Sequence, residues 1–264
     1  MKFNTKEEKK IQNKFIKNGY LIFNIKNKEK LNLIKLKVEQ LVVQWVKKKK
    51  LSLNGKSINL NYIHNYCDEK EINNLRMYIY NKINLTKNFQ KFFYELGRDY
   101  IDLICGNELV MQKKCNLSLQ MPKDKSSVLP LHSDVWSGDS EFELVFWLPL
   151  VNVYRTKSMF IINPKDNEKF LKKIEKFKSI DQIYSKVKNK LKWLKLDYGQ
   201  GLLFTQNLMH GNIVNTEKTT RVSFNCRFKS VFSPYRDKQI GNFFQPITIK
   251  PVTLIGMNYK HPND

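Results

Sequence analysis

Residues 129–136 read Leu-Pro-Leu-His-Ser-Asp-Val-Trp, and we predict a β-strand over Leu131–Val135. Alternate side chains of an extended backbone share a face, so His132 and Asp134 should point one way and Ser133 the other. An imidazole and a carboxylate on one face supply two ligands of a common kind of metal site. A third ligand must come from elsewhere in the chain. The chain has four histidines: His64, His132, His210 and His261.

His210 is the candidate third ligand, because it sits on or beside a late predicted strand. Two histidines and a carboxylate, with the carboxylate two residues after the first histidine, form the facial arrangement that holds Fe(II) and leaves adjacent positions open. A zinc hydrolase can use the same three groups. His64 lies among aromatic residues and is predicted to be structural.

Arg221 follows His210 by eleven residues and opens a strongly alternating segment. Arg221, Ser223, Asn225 and Arg227 share one face of the predicted strand, which indicates a polar cavity inside a barrel. A guanidinium fork binds a carboxylate in a bidentate manner, and a nearby serine adds a hydroxyl donor. Arg221 and Ser223 beside an iron triad would suit the distal carboxylate of 2-oxoglutarate. Arg227 either contacts a substrate anion or forms a structural salt bridge.

The character of the chain changes near residue 107. Residues 1–106 are predicted to be mainly helical, residues 107–232 to hold short strands with a helical insertion over 165–195, and residues 233–264 to be a wrapping tail. Helices followed by many short strands indicate an α+β domain, a jelly-roll barrel buttressed by helices, over residues 1–264. The predicted helices are Lys6–Lys17, Lys28–Lys49, Asp68–Ile83 and Lys87–Cys105. The predicted strands are Tyr20–Ile25, Leu109–Lys113, Asn116–Met121, Leu131–Val135, Glu143–Leu148, Ser158–Ile162, Gly201–Thr205, Met209–Val214 and Arg221–Phe228.

The net charge is +23, and nearly all of the positive charge is lysine. Abundant lysine, asparagine and isoleucine are typical of an A/T-rich genome, so a solvated lysine coat is the favoured interpretation. An anionic small substrate or a membrane surface is a second interpretation. Nucleic acid is less favoured, because phosphate and base recognition favour the scarce arginine.

No apolar run is long enough to span a bilayer, no signal peptide is predicted, and four scattered cysteines fit a reduced compartment, so we expect a cytoplasmic protein.

The chain resembles Fe(II)/2-oxoglutarate-dependent oxygenases through His132-Ser133-Asp134, His210, Arg221 and Ser223. The helical first third and the spacing from His210 to Arg221 look like the phytanoyl-CoA dioxygenase-like branch. Several phrases resemble, more narrowly, a bacterial subgroup found among surface-carbohydrate biosynthesis genes. These phrases are LPLHSDVWSGDSEFELVFWLPLV, TKSMFIINP, LMHGNIVNTEKTTRVSFNCRFKSVFSPY and FFQPIT. The resemblance is good over residues 109–257. In the first third of the chain only the general helical character is similar.

The resemblance implies a double-stranded β-helix fold with Fe(II) on His132, Asp134 and His210. It implies that 2-oxoglutarate chelates the metal and pairs its C5 carboxylate with Arg221 and Ser223, that O2 is the second cosubstrate, and that succinate and CO2 are formed. Related halogenases replace the carboxylate by a small residue, so Asp134 favours hydroxylation or another oxidation.

Further candidates follow from their positions around these motifs. Gln120, Thr205 and Asn212 are predicted contacts to 2-oxoglutarate or substrate, and Trp136, Glu143, Trp147 and Lys157 could line a substrate pocket. Packing in the core is an equal alternative for Trp147. The favoured function is oxidation of a small molecule such as a sugar or a nucleotide- or lipid-linked sugar. The alternatives are a nucleic-acid or protein oxygenase and a non-catalytic ligand-binding barrel.

Overall fold

The first third of the chain is helical, as predicted. The computed structural model describes residues 3–51 and 58–262; residues 1–2, 52–57 and 263–264 lie outside the described residues. The helices are α1 (Lys6–Asn18), α2 (Lys28–Lys48), α3 (Ile72–Asn84) and α4 (Phe89–Cys105), with strand β1 (Tyr20–Asn24) after α1. Thr5 and Glu8 form a capping box at the start of α1, and Gly19 ends this helix in the left-handed conformation, φ 72°.

The strands form two antiparallel sheets. The larger sheet has the order β1-β7-β4-β9-β2-β10, and β3 pairs with the first half of β9; the smaller sheet has the order β6-β5-β8. The strands are β2 (Leu109–Gln112), β3 (Asn116–Gln120), β4 (Leu144–Pro149), β5 (Phe160–Ile162), β6 (Leu191–Trp193), β7 (Gln200–Thr205), β8 (His210–Gly211), β9 (Arg221–Ser230) and β10 (Phe244–Thr248). The predicted fold class, helices buttressing an antiparallel jelly-roll, is confirmed.

The helices cover one face of the larger sheet, and the alternation of strand residues explains why. Phe146 of β4 packs on Phe93 of α4 with ring centroids 4.8 Å apart, and Phe224 of β9 packs on Phe89 at 5.3 Å. The neighbouring residues on the same strands, Trp147 among them, face the opposite side. The hydrophobic core thus lies between helices and sheet, and the polar face of β9 is directed toward the smaller sheet.

Besides the predicted strand Leu131–Val135, which is described with the metal centre below, three predicted elements differ from the observed ones. Met209–Val214 contributes only the two-residue strand β8, because its partner β5 is itself three residues long. The insertion 165–195 contains α5 (Pro164–Leu171) and α6 (Ile180–Val187), but its end forms β6, which pairs with β5. The predicted wrapping tail also contains regular structure, since β10 extends the larger sheet beside β2 and is followed by α7 (Pro251–Asn258).

No helix among the described residues is long and apolar enough to cross a membrane.

Candidate metal centre

His132, Asp134 and His210 converge at one place between the two sheets. Each offers one ligand atom, and these three atoms lie within 4.8 Å of one another. The distance from Asp134 Oδ1 is 3.3 Å to His132 Nε2 and 3.9 Å to His210 Nε2. Two backbone hydrogen bonds join the histidines, from His132 N to His210 O at 2.9 Å and from His210 N to His132 O at 2.8 Å. This bridge brings a loop before β4 against a strand that follows much later in the chain.

The predicted strand Leu131–Val135 is wrong, although its consequence for side-chain direction holds. His132 makes only the isolated bridge, and a short 3-10 helix begins at Asp134. The chain turns because the Trp136 amide donates to the Ser133 carbonyl at 3.0 Å. Ser133 itself is extended, and its buried hydroxyl donates to the Gln206 carbonyl at 2.9 Å. His132 and Asp134 therefore still share one side, with Ser133 on the other.

Both histidines present Nε2 to the cluster. His132 Nδ1 lies 2.7 Å from the Pro130 carbonyl oxygen, and His210 Nδ1 lies 2.8 Å from that of Leu208. Because a carbonyl oxygen only accepts, each Nδ1 carries the proton and each Nε2 keeps a lone pair. A backbone carbonyl on the second ring nitrogen is the usual support for a metal-binding histidine. The donor set and its tautomers therefore fit a divalent metal.

Electrostatics keeps Asp134 ionised and His210 neutral. Burial alone would raise the pKa of Asp134. His132 donates to Asp134 when its ring is protonated, and the positive charges of protonated His210 and of Arg227 act in the same direction, so together they hold that pKa well below its usual value. Burial lowers the pKa of His210 to about 4, despite the opposing carboxylate. For His132, burial acts in the same direction, but Asp134 and the Pro130 carbonyl outweigh it and raise the pKa. The carboxylate and the His210 imidazole are thus in metal-binding protonation states at neutral pH.

Gly211 allows the backbone to approach closely beside His210. A Cβ atom built at this position would lie 2.8 Å from the carbonyl oxygens of both Leu129 and Pro130. These distances are shorter than a carbon atom tolerates, so only glycine fits without moving the backbone. The residue after His210 therefore helps to set the bridge that brings His132 into the cluster.

The cluster opens into a cavity of about 280 Å³ between the sheets. Its lining residues come from β3, β4, β7, β8, β9 and the loops beside them. They are Asn116, Ser118, Leu129, His132, Asp134, Val145, Trp147, Met159, Phe204, His210, Gly211, Asn212, Arg221, Asn225 and Arg227. The predicted polar face of β9 thus supplies three residues of the lining.

Arg221 is buried in this cavity wall, and none of the residues in the ranges 3–51 and 58–262 gives it an anionic partner. Its side chain donates to the Ser158 carbonyl at 3.0 Å and to the Ser118 hydroxyl at 3.1 Å, while Nε has no hydrogen-bond partner among the described residues. The buried Ser223 hydroxyl likewise has no partner in the described part of the chain. Burial lowers the pKa of Arg221 to about 10, and no carboxylate in the described part of the chain opposes this shift. A buried cation with a free donor beside a free hydroxyl is built to receive an anion.

The other predicted contacts to 2-oxoglutarate differ in their position relative to the cavity. Asn212 lines the cavity and accepts a hydrogen bond from the Leu129 amide at 2.7 Å. Gln120 is fully buried beside the cavity, where Nε2 donates to the Ile213 carbonyl at 2.6 Å and Oε1 has no partner among the described residues. Thr205 lies at the end of β7, outside the lining residues, and its hydroxyl accepts from the Asn207 amide at 3.4 Å.

The predicted substrate residues divide in the same way. Trp147 and Arg227 line the cavity, whereas Trp136 is about one-third exposed on the 3-10 helix outside it. Glu143 is buried behind the cavity, and burial raises its pKa. Lys157 is buried but is not among the lining residues, and its Nζ donates to Asn61 Oδ1 at 2.7 Å.

Sequence reasoning missed Asp139 and Gln206, two buried polar residues that contact Arg227. Arg227 donates through Nε to Gln206 Oε1 at 3.0 Å and through Nη2 to Asp139 Oδ2 at 3.4 Å. Asp139 follows Gly138 in the loop after the 3-10 helix, and Gln206 directly follows β7. The available signal was that Asp139 lies five residues after Asp134 and Gln206 four residues before His210. Nothing in the sequence indicates that the two loops meet.

Substitution of Lys157 by methionine is expected to stabilise the protein without affecting the cavity. Burial lowers the pKa of Lys157 to about 8, so the native state disfavours its charge below that pH. Removal of the charge should raise the free energy of unfolding at pH 7 by about 1–2 kcal/mol, after allowing for the lost hydrogen bond to Asn61. The difference should shrink as pH rises from 8 to 10.5, where the wild-type native state sheds this proton. Urea unfolding of both proteins at pH 7 and pH 10 measures it, and a destabilised variant at pH 7 would contradict the expectation.

Comparison with known proteins supports the fold. The sequence matches no protein-family model, and no curated protein matches it significantly. Among solved structures, it is similar to a nickel complex of the non-heme monooxygenase ThoJ, with 12% identity, a TM-score of 0.59, and 92% of this chain and 85% of that chain covered. It is also similar to EctD from S. alaskensis with 2-oxoglutarate and 5-hydroxyectoine, with 14% identity, a TM-score of 0.54, and 86% and 77% covered.

The fold is thus the cupin-like jelly-roll that these solved structures share. At such low identities the likeness establishes the fold alone. The position of the His132, Asp134 and His210 cluster within that fold comes from this chain's own geometry.

Proposed function

We propose that this protein is an Fe(II)- and 2-oxoglutarate-dependent oxygenase. The observation that carries the proposal is Arg221, a buried guanidinium that has no anionic partner among the described residues and lines the same cavity as His132, Asp134 and His210. A metal cluster alone is equally compatible with zinc hydrolysis. Arg221 is a fixed cation in the cavity wall and requires an anion. A dicarboxylate that also chelates the metal meets this requirement.

The residues present fit this pair of groups. His132, Asp134 and His210 would hold Fe(II), and Arg221 with Ser223 would receive the C5 carboxylate of 2-oxoglutarate. When bound, iron and 2-oxoglutarate supply oxidative decarboxylation, which yields succinate and CO2 and transfers oxygen to a substrate C–H bond. The protein's own contribution is to fix the two ends of the dicarboxylate and to hold Asp134 ionised. The presence of Asp134 favours hydroxylation over halogenation.

The apolar part of the wall limits water at the site. Val145, Trp147, Met159 and Phe204 line the cavity, and the Phe204 ring packs edge-on against His210 with centroids 5.0 Å apart. Exclusion of water strengthens the interaction of Arg221 with an anion, because the effective dielectric constant is lower than in bulk solvent.

We further propose that the substrate is a sugar or a sugar conjugate of surface-polysaccharide biosynthesis. The cavity combines the aromatic surface of Trp147 with amides of Asn116 and Asn225, which hydrogen-bond to each other at 3.0 Å. An aromatic face and amide groups together suit a molecule with apolar C–H faces and many hydroxyls. The phrases shared with the bacterial carbohydrate-cluster oxygenases support the same substrate class.

We also propose that residues 1–264 form one oxygenase domain located in the cytoplasm. Helices α3 and α4 pack directly on β3, β4 and β9, so the helical third and the strands share one core. The four cysteines are free, in keeping with a reduced compartment.

Succinate formation from 2-oxoglutarate tests the class of reaction. The iron-loaded protein should produce succinate slowly by itself, and faster with its substrate, while omission of iron or addition of a chelator should abolish turnover. A panel of nucleotide-linked sugars, a methylated oligonucleotide and a peptide separates the substrate classes. Absence of both iron binding and succinate formation would refute the oxygenase and favour a ligand-binding barrel.

A further inference from the structure

The two oxygens of Asp134 face different partners. Oδ1 lies toward His132 and His210, whereas Oδ2 forms an ion pair with Arg227 Nη2 at 3.2 Å. We propose that Arg227 is a positioning residue for Asp134: it engages Oδ2 so that Oδ1 alone is presented to the metal. This inference rests on the proposed metal site.

Arg227 is held rigidly enough for this role. Its Nε donates to Gln206 Oε1 at 3.0 Å and lies 3.7 Å from Glu143 Oε2. Gln206 is fixed in turn, because its Nε2 donates to Glu143 Oε2 and to the Ser140 carbonyl, both at 2.9 Å. The Phe243 ring lies 5.9 Å from the guanidinium carbon. Because the hydrogen bond at Nε fixes the orientation of the planar guanidinium, Nη2 fixes the position of Asp134 Oδ2 in turn.

The charges around Arg227 leave it no capacity for a substrate anion. Three carboxylates contact it, those of Asp134, Asp139 and Glu143. Asp139 is shared with Lys238, which binds its other oxygen. Arg221, on the same face of β9, has no carboxylate partner among the described residues. The two arginines on this strand therefore have different roles. Arg221 can bind an anionic ligand, whereas the positive charge of Arg227 is already neutralised by carboxylates of the protein.

Single-oxygen ligation matters because the facial triad works by leaving metal positions open. If Asp134 used both oxygens, it would occupy one more position and compete with the cosubstrates. The ion pair of Oδ2 with Arg227 prevents Asp134 from using both oxygens.

Arg227→Lys keeps a positive charge among the carboxylates but loses the planar fork that reaches Gln206 and Asp134 together.

The test is Ni(II) binding by calorimetry, because Ni(II) binds such ligands more tightly than Fe(II) and gives a readout independent of turnover. Arg227→Lys should weaken Ni(II) affinity by about tenfold or more, as is usual for residues that orient a ligand. Arg236→Lys is the matched control, since exposed Arg236 makes the same kind of fork to Glu141, at 2.8 and 3.1 Å, away from the metal ligands. Its affinity should equal that of the wild type.

A double-mutant cycle separates positioning from general support of the fold. In an Asp134→Asn background, which keeps Oδ1 as a neutral and weaker ligand and is therefore titrated at higher Ni(II) concentration, Arg227→Lys should have no further effect on Ni(II) affinity if it acts through Asp134. An unchanged affinity in the single variant, or an equal loss in both backgrounds, would overturn the inference. If Arg227→Lys does not fold, Arg227→Gln combined with Asp139→Asn removes one charge of each sign and carries the same test. Failure of the wild-type protein to bind Ni(II) would instead refute the proposed metal site.

Discussion

His210→Ala is expected to abolish measurable Fe(II) and Ni(II) binding, with a loss of at least about 100-fold in affinity. Changes at residues that only support metal ligands already cost about 10- to 100-fold, so loss of a ligand should exceed that range. His210 is a strong case because burial lowers its pKa to about 4, which leaves the imidazole neutral and ready to bind metal at pH 7. Succinate formation should disappear together with metal binding. Calorimetry with Ni(II) and an anaerobic Fe(II) titration measure the effect.

His64→Ala is the matched control for this prediction. His64 is partly buried, and its Nδ1 contacts the Thr220 hydroxyl at 2.8 Å, outside the residues that line the cavity. Its removal should leave metal binding intact. Equal metal affinity in the wild type and in His210→Ala would exclude the site formed with His132 and Asp134.

Arg221→Met should weaken 2-oxoglutarate binding by at least about 100-fold and leave metal affinity unchanged. Hydrogen bonds to charged groups contribute about 1.5–3 kcal/mol each, so loss of a bidentate pair removes about 3 kcal/mol or more. Arg221 is about 3% exposed and has no anionic partner in the described part of the chain, so no other residue can replace it easily. Calorimetric titration of 2-oxoglutarate into the Ni(II)-loaded protein measures the change.

The same substitution should stabilise the ligand-free protein. Burial of Arg221 lowers its pKa to about 10, which reflects an unfavourable buried charge. Removal of that charge, less the lost hydrogen bonds to Ser158 and Ser118, should raise the free energy of unfolding by about 1–2 kcal/mol. A variant that is more stable but does not bind cosubstrate would show that the charge is kept for function. Unchanged 2-oxoglutarate affinity would exclude Arg221 as the anion-binding residue. Ser223→Ala, which keeps the guanidinium, should reduce affinity by a smaller factor.

Local patterns predicted the long elements well. The predicted helix Lys28–Lys49 is observed as α2, and the face that carries Leu31, Ile34, Val38 and Leu41, spaced three and four residues apart, is buried against the core. The alternation along β9 correctly separated the residues that face the cavity from Phe224, which faces the helices. Both succeed because periodicity reports directly which side of an element is buried.

Short strands were predicted poorly because their ends depend on partners rather than on their own sequence. His132 forms one bridge and Met209–Val214 only a two-residue strand, since the smaller sheet ends there. β10 contains Pro246 and lacks a clear alternating pattern, yet it pairs with β2 at the edge of the larger sheet. A sequence pattern cannot show where such an edge is available.

The sequence by itself determined the candidate ligands and the direction of their side chains: His132 and Asp134 on one side of Ser133, and Arg221 and Arg227 on one face of β9. Their metal and cosubstrate roles remain predictions. Only the tertiary structure decided which polar residues meet, since it placed Trp147 in the cavity and Glu143 and Lys157 outside it. It also placed Asp134 against Arg227, which local sequence could not predict, because distances between segments arise from strand pairing and loop contacts.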